Sequence, residues 1–166
     1  MIAILHADKK WGIGKKNNLM FRLPLDMNFF RETTTGKVVC MGYNTLLSFP
    51  GGKPLKNRTN IVLCEEGISP DGCIAVHSVD ELLRAVKNYA EDDVFVIGGA
   101  SVYRTMLPYC SKVYLTKVDA DGGAEVFFPD LDADENFELI SESEPVLDNG
   151  YTIRFTAYKN KNVKAR

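Results

Sequence analysis

Apolar residues fall in five runs of strand length: Ile2–Ala7, Val38–Met41, Ile61–Cys64, Val94–Ile97 and Val113–Thr116. The runs are continuous rather than alternating, the pattern of strands covered on both faces. Helical signals lie between them. Leu23-Pro24-Leu25-Asp26 opens one helix, with proline in the first turn and an acid beside the positive helix end. Ser78-Val79-Asp80-Glu81 reads as a capping box, after which Leu82, Leu83, Val86 and Tyr89 share one helical face. A further helix is expected to start after Gly98-Gly99 and to end near Pro108. Near the C-terminus, Phe137–Ser143 and Tyr151–Tyr158 flank the turn signal Asp148-Asn149-Gly150, which predicts an antiparallel hairpin. The expected fold class is therefore α/β: a central, mostly parallel twisted sheet of about eight strands, flanked by helices and finished by that hairpin.

Length and composition narrow this picture. At 166 residues the chain is expected to be one domain over 1–166. No internal repeat or linker interrupts it. Basic and acidic residues number 20 and 22, without a dense cationic stripe, so no nucleic-acid partner is expected. The basic tail after Tyr158 reads as a solvated terminus. No apolar run is long enough for a signal peptide or a membrane span, and the expected location is the cytoplasm. Cys40, Cys64, Cys73 and Cys110 form no C-x-x-C pair, and His6 and His77 sit in no ligand spacing. Neither a metal site nor a disulfide framework is expected.

Candidate chemistry concentrates in four places. Val94–Ile97 runs into Gly98-Gly99 and then a helix start at Ala100-Ser101-Val102, an arrangement whose free N–H groups suit a pyrophosphate. A tight ligand-free turn explains it equally well, and the full G-x-G-x-x-G fingerprint is absent. Asp26, set among Met27, Phe29 and Phe30, is a candidate proton source, although a dipole-complementing helix acid is the simpler account. The glycine-bearing loop Lys9–Asn18 is a candidate lid. Arg58 is a candidate carboxylate clamp.

In order and spacing, these segments resemble dihydrofolate reductase over nearly the whole chain. The resemblance is carried by Gly12-Ile13-Gly14, Leu23-Pro24-Leu25-Asp26-Met27, Thr34-Thr35-Gly36-Lys37, Met41-Gly42-Tyr43-Asn44-Thr45, Pro54–Asn60, Val96-Ile97-Gly98-Gly99, Val113–Thr116 and Phe127-Phe128-Pro129-Asp130. It implies reduction of 7,8-dihydrofolate to 5,6,7,8-tetrahydrofolate, with hydride delivered to C6 and a proton to N5, in support of one-carbon metabolism. It also implies NADPH as cofactor, dihydrofolate and antifolates as ligands, and a monomer.

The resemblance further assigns roles by position. Asp26 and Thr116 would form the catalytic network on the pterin. Leu5, Met27, Phe30, Phe49 and Leu55 would wall the substrate pocket, and Ile4 and Ile97 would offer backbone carbonyls to it. Tyr103 would stand near the nicotinamide end, Arg58 would pair with the glutamate tail, and Lys53 would lie on the same rim. On the cofactor side stand His6, Ile13, Gly14, Leu19, Gly42, Tyr43, Asn44, Thr45, Leu63, Cys64, Glu65, His77, Gly98, Gly99, Ala100, Ser101 and Val102. Gly98-Gly99 matches a pair joined by a cis peptide, and Glu125 an acidic position that helps hold the loop.

Three departures stand out. Phe21 replaces a frequent tryptophan, and His6 occupies a position that is usually small and apolar. Tyr43, Asn44 and Glu65 stand where groups that meet the adenosine 2′-phosphate are common. An acid there repels phosphate and accepts from a free ribose hydroxyl, so NADH becomes an alternative to NADPH. The competing readings are a pyrimidine reductase on a similar fold, which lacks the Leu-Pro-x-Asp start with the Arg58-type clamp, and a non-catalytic pterin-binding module.

Overall fold

The continuous apolar runs become the buried strands of one sheet. The computed structural model describes residues 1–16 and 18–166; Asn17, part of the expected lid loop, lies outside the described residues. In chain order the elements are β1 (Ile2–Ala7), β2 (Gly12–Gly14), α1 (Pro24–Thr34), β3 (Val38–Gly42), α2 (Tyr43–Ser48), β4 (Thr59–Leu63) and β5 (Ile74–Val76). They continue with α3 (Val79–Val86), β6 (Val94–Gly98), α4 (Ala100–Met106), β7 (Lys112–Val118), β8 (Val126–Phe127), β9 (Phe137–Glu142), β10 (Val146–Asp148) and β11 (Tyr151–Asn160).

The main sheet runs β10-β11-β7-β1-β6-β3-β4-β5, and β9 shares the outer edge of β11 with β10. From β7 to β5 every pairing is parallel, whereas the β11 pairings are antiparallel. Leu82 and Val86 of α3 and Val102, Tyr103 and Met106 of α4 join one core cluster with Ala3, Val38, Val96 and Val113. Leu46 of α2, with Phe29 and Phe30 of α1, packs into a second with Ile2, Ile4, Val39 and Met41. Alternate residues of each strand thus feed opposite layers, as the two-residue period of a strand requires.

Several expectations change in detail. The Asn149-Gly150 turn, with φ of 50° and 86°, closes β10 rather than β9 onto β11. Pro145 explains the broken edge: it has no N–H to donate, so the strand stops at Glu142 and resumes at Val146. Helix α3 ends at Val86, which leaves Tyr89 off its apolar face and 40% exposed. The capping box is shifted by one residue. Ser78 accepts from the Glu81 N–H, but the Glu81 carboxylate accepts from the His77 N–H at 2.6 Å instead of from Ser78. Nor is the tail merely solvated, because Arg166 donates to the Val86 and Tyr89 carbonyls at the end of α3.

All four cysteines are free, with Cys40, Cys64 and Cys110 buried. No cluster able to hold a metal ion occurs among the described residues, and no helix there is long and apolar enough to cross a membrane.

Candidate active site

Parallel strands all point the same way, so the C-terminal ends of β1, β3, β6 and β7 meet at one edge of the sheet, where ligands of open α/β sheets bind. Two groupings form there.

The first surrounds Asp26. Proline occupies the first turn of α1, but Leu23 before it offers no side-chain cap. The missing acceptor comes from the other end of the chain. The buried Asp148 carboxylate accepts from the Leu25 N–H at 3.1 and 3.2 Å and from the Asp26 N–H at 3.2 Å. Asn149 adds a bond from its amide to the Arg22 carbonyl. The hairpin tip therefore clamps the start of α1 and turns Asp26 inward, where it is 9% exposed.

Thr116 donates to one Asp26 carboxylate oxygen at 2.6 Å, as expected of that pair. His6 Nδ1 lies 3.2 Å from the other. His6 and Thr116 are direct partners across β1 and β7, which puts both side chains on one face of the sheet. The His6 side chain thus lies beside Asp26, on the Thr116 face of the sheet. Phe21, buried beside it, brings its ring centre to 6.1 Å from the imidazole.

Tyr103 reaches this end from α4 and donates to the Ile4 carbonyl at 2.8 Å, occupying one lone pair of an oxygen expected to serve a ligand. Burial holds the Tyr103 hydroxyl far above its ordinary range, helped by the nearby Cys110 and Asp26. Ile97 is skipped by the registers on both sides of β6, because β3 passes from Val96 to Gly98 and β1 pairs only as far as Val96. A register break of this kind bends the strand beside the site.

Along α1, Phe29 packs against Tyr114 and Phe155. Phe30 turns toward Arg58, whose guanidinium carbon is 6.0 Å from the ring centre. Leu5 and Phe49 are half-buried, and Met27 is 54% exposed. Arg58 donates to the Lys56 carbonyl and to Thr34 Oγ1. Burial, with Arg31 close by, lowers its guanidinium. Buried Asn60 bonds to both the N–H and the carbonyl of Leu55 and to the Arg58 carbonyl, holding the loop that presents them. Lys53 is exposed beyond a turn with positive φ at Gly51 and Gly52.

The second grouping is made of backbone. Gly98–Gly99 is a cis peptide, as the resemblance implied. Helices α2 and α4 start at Gly42 and Gly99, and neither start has a side-chain cap. A Cβ at Gly42 would meet Val102 Cγ2 at 3.1 Å, and Cβ atoms at Gly98 and Gly99 would meet Thr45 Oγ1 at 3.2 and 3.4 Å. Thr45 and Val102 are thus brought onto the glycines, next to Ala100 and Ser101. Tyr43 is half-buried and Asn44 exposed at the start of α2.

Further out, Leu63 ends β4 and Glu65 is exposed. His77 Nδ1 is 3.0 Å from the Cys64 carbonyl, a contact that keeps a proton on that nitrogen. The candidate lid is fastened at one side. Its β2, carrying Ile13 and Gly14, pairs with β8, and the Lys16 N–H donates to the Glu125 carboxylate at 2.8 Å. Leu19 is 66% exposed.

Sequence reasoning missed Asp148, Asn60 and Arg31, and it gave His6 no contact with Asp26. Of these, Asn60 carried a local signal, as a polar residue directly before the apolar run Ile61–Cys64.

The family model described as dihydrofolate reductase matches residues 1–160. The dihydrofolate reductase of Bacillus subtilis (strain 168) is 35% identical over 169 residues, covering 98% of this chain and 96% of that protein. That of Haemophilus influenzae is 35% identical over 150 residues, covering 90% and 91%. The solved structure of the Enterococcus faecalis dihydrofolate reductase, complexed with NADP(H) and RAB-propyl, superposes with a TM-score of 0.85 at 32% identity, over 96% of this chain and 95% of that one. The chain that carries the Asp26–Thr116 bond and the cis Gly98–Gly99 turn thus belongs to the dihydrofolate reductase family.

Proposed function

We propose that this chain reduces 7,8-dihydrofolate to 5,6,7,8-tetrahydrofolate with NADPH, and that the two groupings are the substrate and cofactor ends of one cleft. The observation that carries the reading is the buried Asp26 carboxylate, held at both oxygens at the edge of the sheet where the uncapped glycine turns also lie.

The backbone grouping fits a dinucleotide. A Cβ at Gly42 or Gly98 would crowd Val102 or Thr45, so the glycines let the starts of α2 and α4 pack closely, and without a Cβ they also leave their backbone approachable. The N–H groups of α2 and α4, from Tyr43-Asn44-Thr45 and Ala100-Ser101-Val102, would hold the phosphates. Leu63, Cys64, Glu65 and His77 would flank the adenosine, and Ile13, Gly14 and Leu19 would cover the nicotinamide beside His6. A bound reduced nicotinamide supplies the hydride.

The chain's own residues do the rest. Asp26, steadied by Thr116, accepts from the pterin N3 and 2-amino groups and biases proton delivery to N5 through water. Ile4 and Ile97 offer carbonyl oxygens to the pterin, and Leu5, Met27, Phe30, Phe49, Leu55 and Tyr103 exclude water from its faces. Arg58, with Lys53 on the rim, pairs with the carboxylate of the glutamate tail. The reaction takes up one hydride and one proton, and these reach the substrate from different parts of the cleft. We place the enzyme in the cytoplasm as a monomeric single domain open to antifolate ligands.

The acidic charge of Glu65 motivates a second element of the reading, weakened discrimination between NADPH and NADH; its exposed side chain suits equally an acid that points to solvent. The test is consumption of each reduced nicotinamide with 7,8-dihydrofolate. Turnover with NADPH bears out the reaction, and comparable kcat/KM with NADH bears out the weak discrimination. A folded protein with no turnover on either refutes the reaction; a large NADPH preference refutes the role of Glu65.

A further inference from the structure

We propose that His6 is a positioning residue for Asp26, so that the acid of this site is a histidine–aspartate pair that shares a proton rather than a lone carboxylate. The inference rests on the functional reading above and goes beyond it.

Three observations carry it. Thr116 holds one Asp26 oxygen at 2.6 Å and His6 Nδ1 stands 3.2 Å from the other, so the carboxylate is gripped from two adjacent strands. The imidazole is 9% exposed, walled on one side by the buried ring of Phe21. Its other nitrogen, Nε2, is buried without a hydrogen-bond partner among the described residues. A histidine kept in a core for packing normally has its ring nitrogens satisfied. Among the described residues the single polar anchor of the ring is the Asp26 carboxylate.

Few other charges compete. Tyr103, from α4, commits its hydroxyl to the Ile4 carbonyl. Asp148, from the hairpin, is bonded to the first turn of α1. Asp8, next along the chain from β1, accepts from the N–H groups of Lys10, Gly12 and Gly122. Lys117, beside Thr116 on β7, faces away toward Trp11, Tyr158 and Asp132. No lysine or arginine hydrogen-bonds to either member of the pair among the described residues.

The proton step balances. An imidazolium gives its Nδ1 proton to the carboxylate, leaving a neutral imidazole protonated on Nε2 and a carboxylic acid. That proton leaves Asp26 for the substrate through water, and the pair takes another from solvent for the next cycle.

Two experiments test this. The first is ring ¹⁵N NMR of the ligand-free protein, simple because only His6 and His77 contribute, with His77→Gln giving the assignment. The His6 signals should show a proton on Nδ1, and their pH response should change in Asp26→Asn. The second is the single-turnover rate of hydride transfer across pH for wild type, His6→Ala and His6→Asn. His6→Ala should lose about tenfold, the effect of one hydrogen bond to a charged group, mostly in kcat. The amide of His6→Asn occupies the Nδ1 position, so it should recover most of that rate while losing the histidine's part of the pH profile.

His6 signals indifferent to Asp26→Asn overturn the proposal. So do wild-type rates and profiles in both variants, or a loss of rate with an unchanged pH profile, which marks a structural role alone. Should His6→Ala fail to fold, His6→Asn and the NMR decide. Absence of wild-type turnover defeats the functional reading, and the NMR still decides the pair.

Discussion

Replacing Asp148 with alanine should unfasten the start of α1, although the two lie 122 residues apart in the chain. Asp148 is 3% exposed and is the acceptor for the N–H groups of both Leu25 and Asp26. The residue that would ordinarily cap the helix is Leu23, which has no acceptor to offer. Loss of a cap costs about 0.5–2 kcal/mol. Each buried donor left unsatisfied costs about 1–3 kcal/mol, less whatever an entering water recovers. Water reaches a vacated surface turn easily, so the sum comes to about 2–3 kcal/mol. For a chain of this size that is a fall in Tm of roughly 5–10 °C. Asp148→Asn keeps the acceptor and loses only the attraction of a full charge to the helix start, about 0.3–1 kcal/mol. Urea unfolding of the three proteins, followed by circular dichroism, measures these differences. Turnover should fall with stability in Asp148→Ala, because the second donor is the N–H of Asp26 itself. A loss below about 0.5 kcal/mol, or an asparagine variant as damaged as the alanine one, would refute the reasoning.

Other perturbations address the remaining parts. Asp26→Asn should cut turnover by roughly 10²-fold or more near neutral pH while the protein stays folded, since general acid–base assistance is worth that much; unchanged turnover removes Asp26 from the mechanism. Gly98→Ala combines a φ of +138° with a Cβ 3.2 Å from Thr45 Oγ1, so reduced-nicotinamide binding, read by fluorescence titration, should weaken about tenfold or more. Arg58→Gln should raise KM for dihydrofolate and leave kcat nearly intact, the signature of binding energy lost equally from ground and transition states. Burial pushes the Cys40 and Cys110 thiols up to about 12. Their folded values exceed those of free thiols near 9, so the stability they contribute is complete below that pH and declines as pH rises toward 12. Unfolding midpoints measured from pH 8 upward should fall, and the fall should shrink in Cys40→Ala.

What could be read from the chain divides by the range of the interactions involved. β1, β3, β4, β6 and β7 were legible because a strand buried on both faces must be apolar throughout. β2, β5, β8 and β10, two or three residues each, are too short to show any period. The Asn149-Gly150 turn was legible as chemistry, but its partner was not, because Pro145 divides the edge strand and leaves the nearer half for the turn. Tyr89 fits the helical period of α3 and still lies outside it, since periodicity does not show where a helix stops. The tail beyond β11 looked solvated by composition, yet Arg166 finds the carbonyls that end α3.

The candidate site divides in the same way. Gly98-Gly99, Asp26 and Thr116 could be located through motif order. Asp148 could not, because a buried acid capping a helix 122 residues away looks, in the sequence, like an ordinary turn residue. His6 was visible only as an oddity. Its meaning depends on β1 and β7 being neighbours in register, which sets it opposite Thr116.

The two ends of the cleft are consequently built by different physics. At the Asp26 end, position depends on side chains from β1, α1, β7 and the β10–β11 turn, each supplying a donor or acceptor. Chemical identity should govern substitutions there: asparagine for Asp148 keeps an acceptor and is tolerated, whereas alanine is not. At the glycine end, backbone N–H groups are the chemistry, and side chains matter by their absence. Size should govern substitutions there, with a single methyl at Gly42 already within 3.1 Å of Val102. Between the two runs β1, parallel to β6 on one side and β7 on the other. Because these strands end at the same edge, β1 fixes the spacing between the Asp26 carboxylate and the uncapped glycine turns. On the reading proposed above, a ligand lying across that edge would meet a proton source at one end and a reductant at the other, held apart by the sheet before any loop closes.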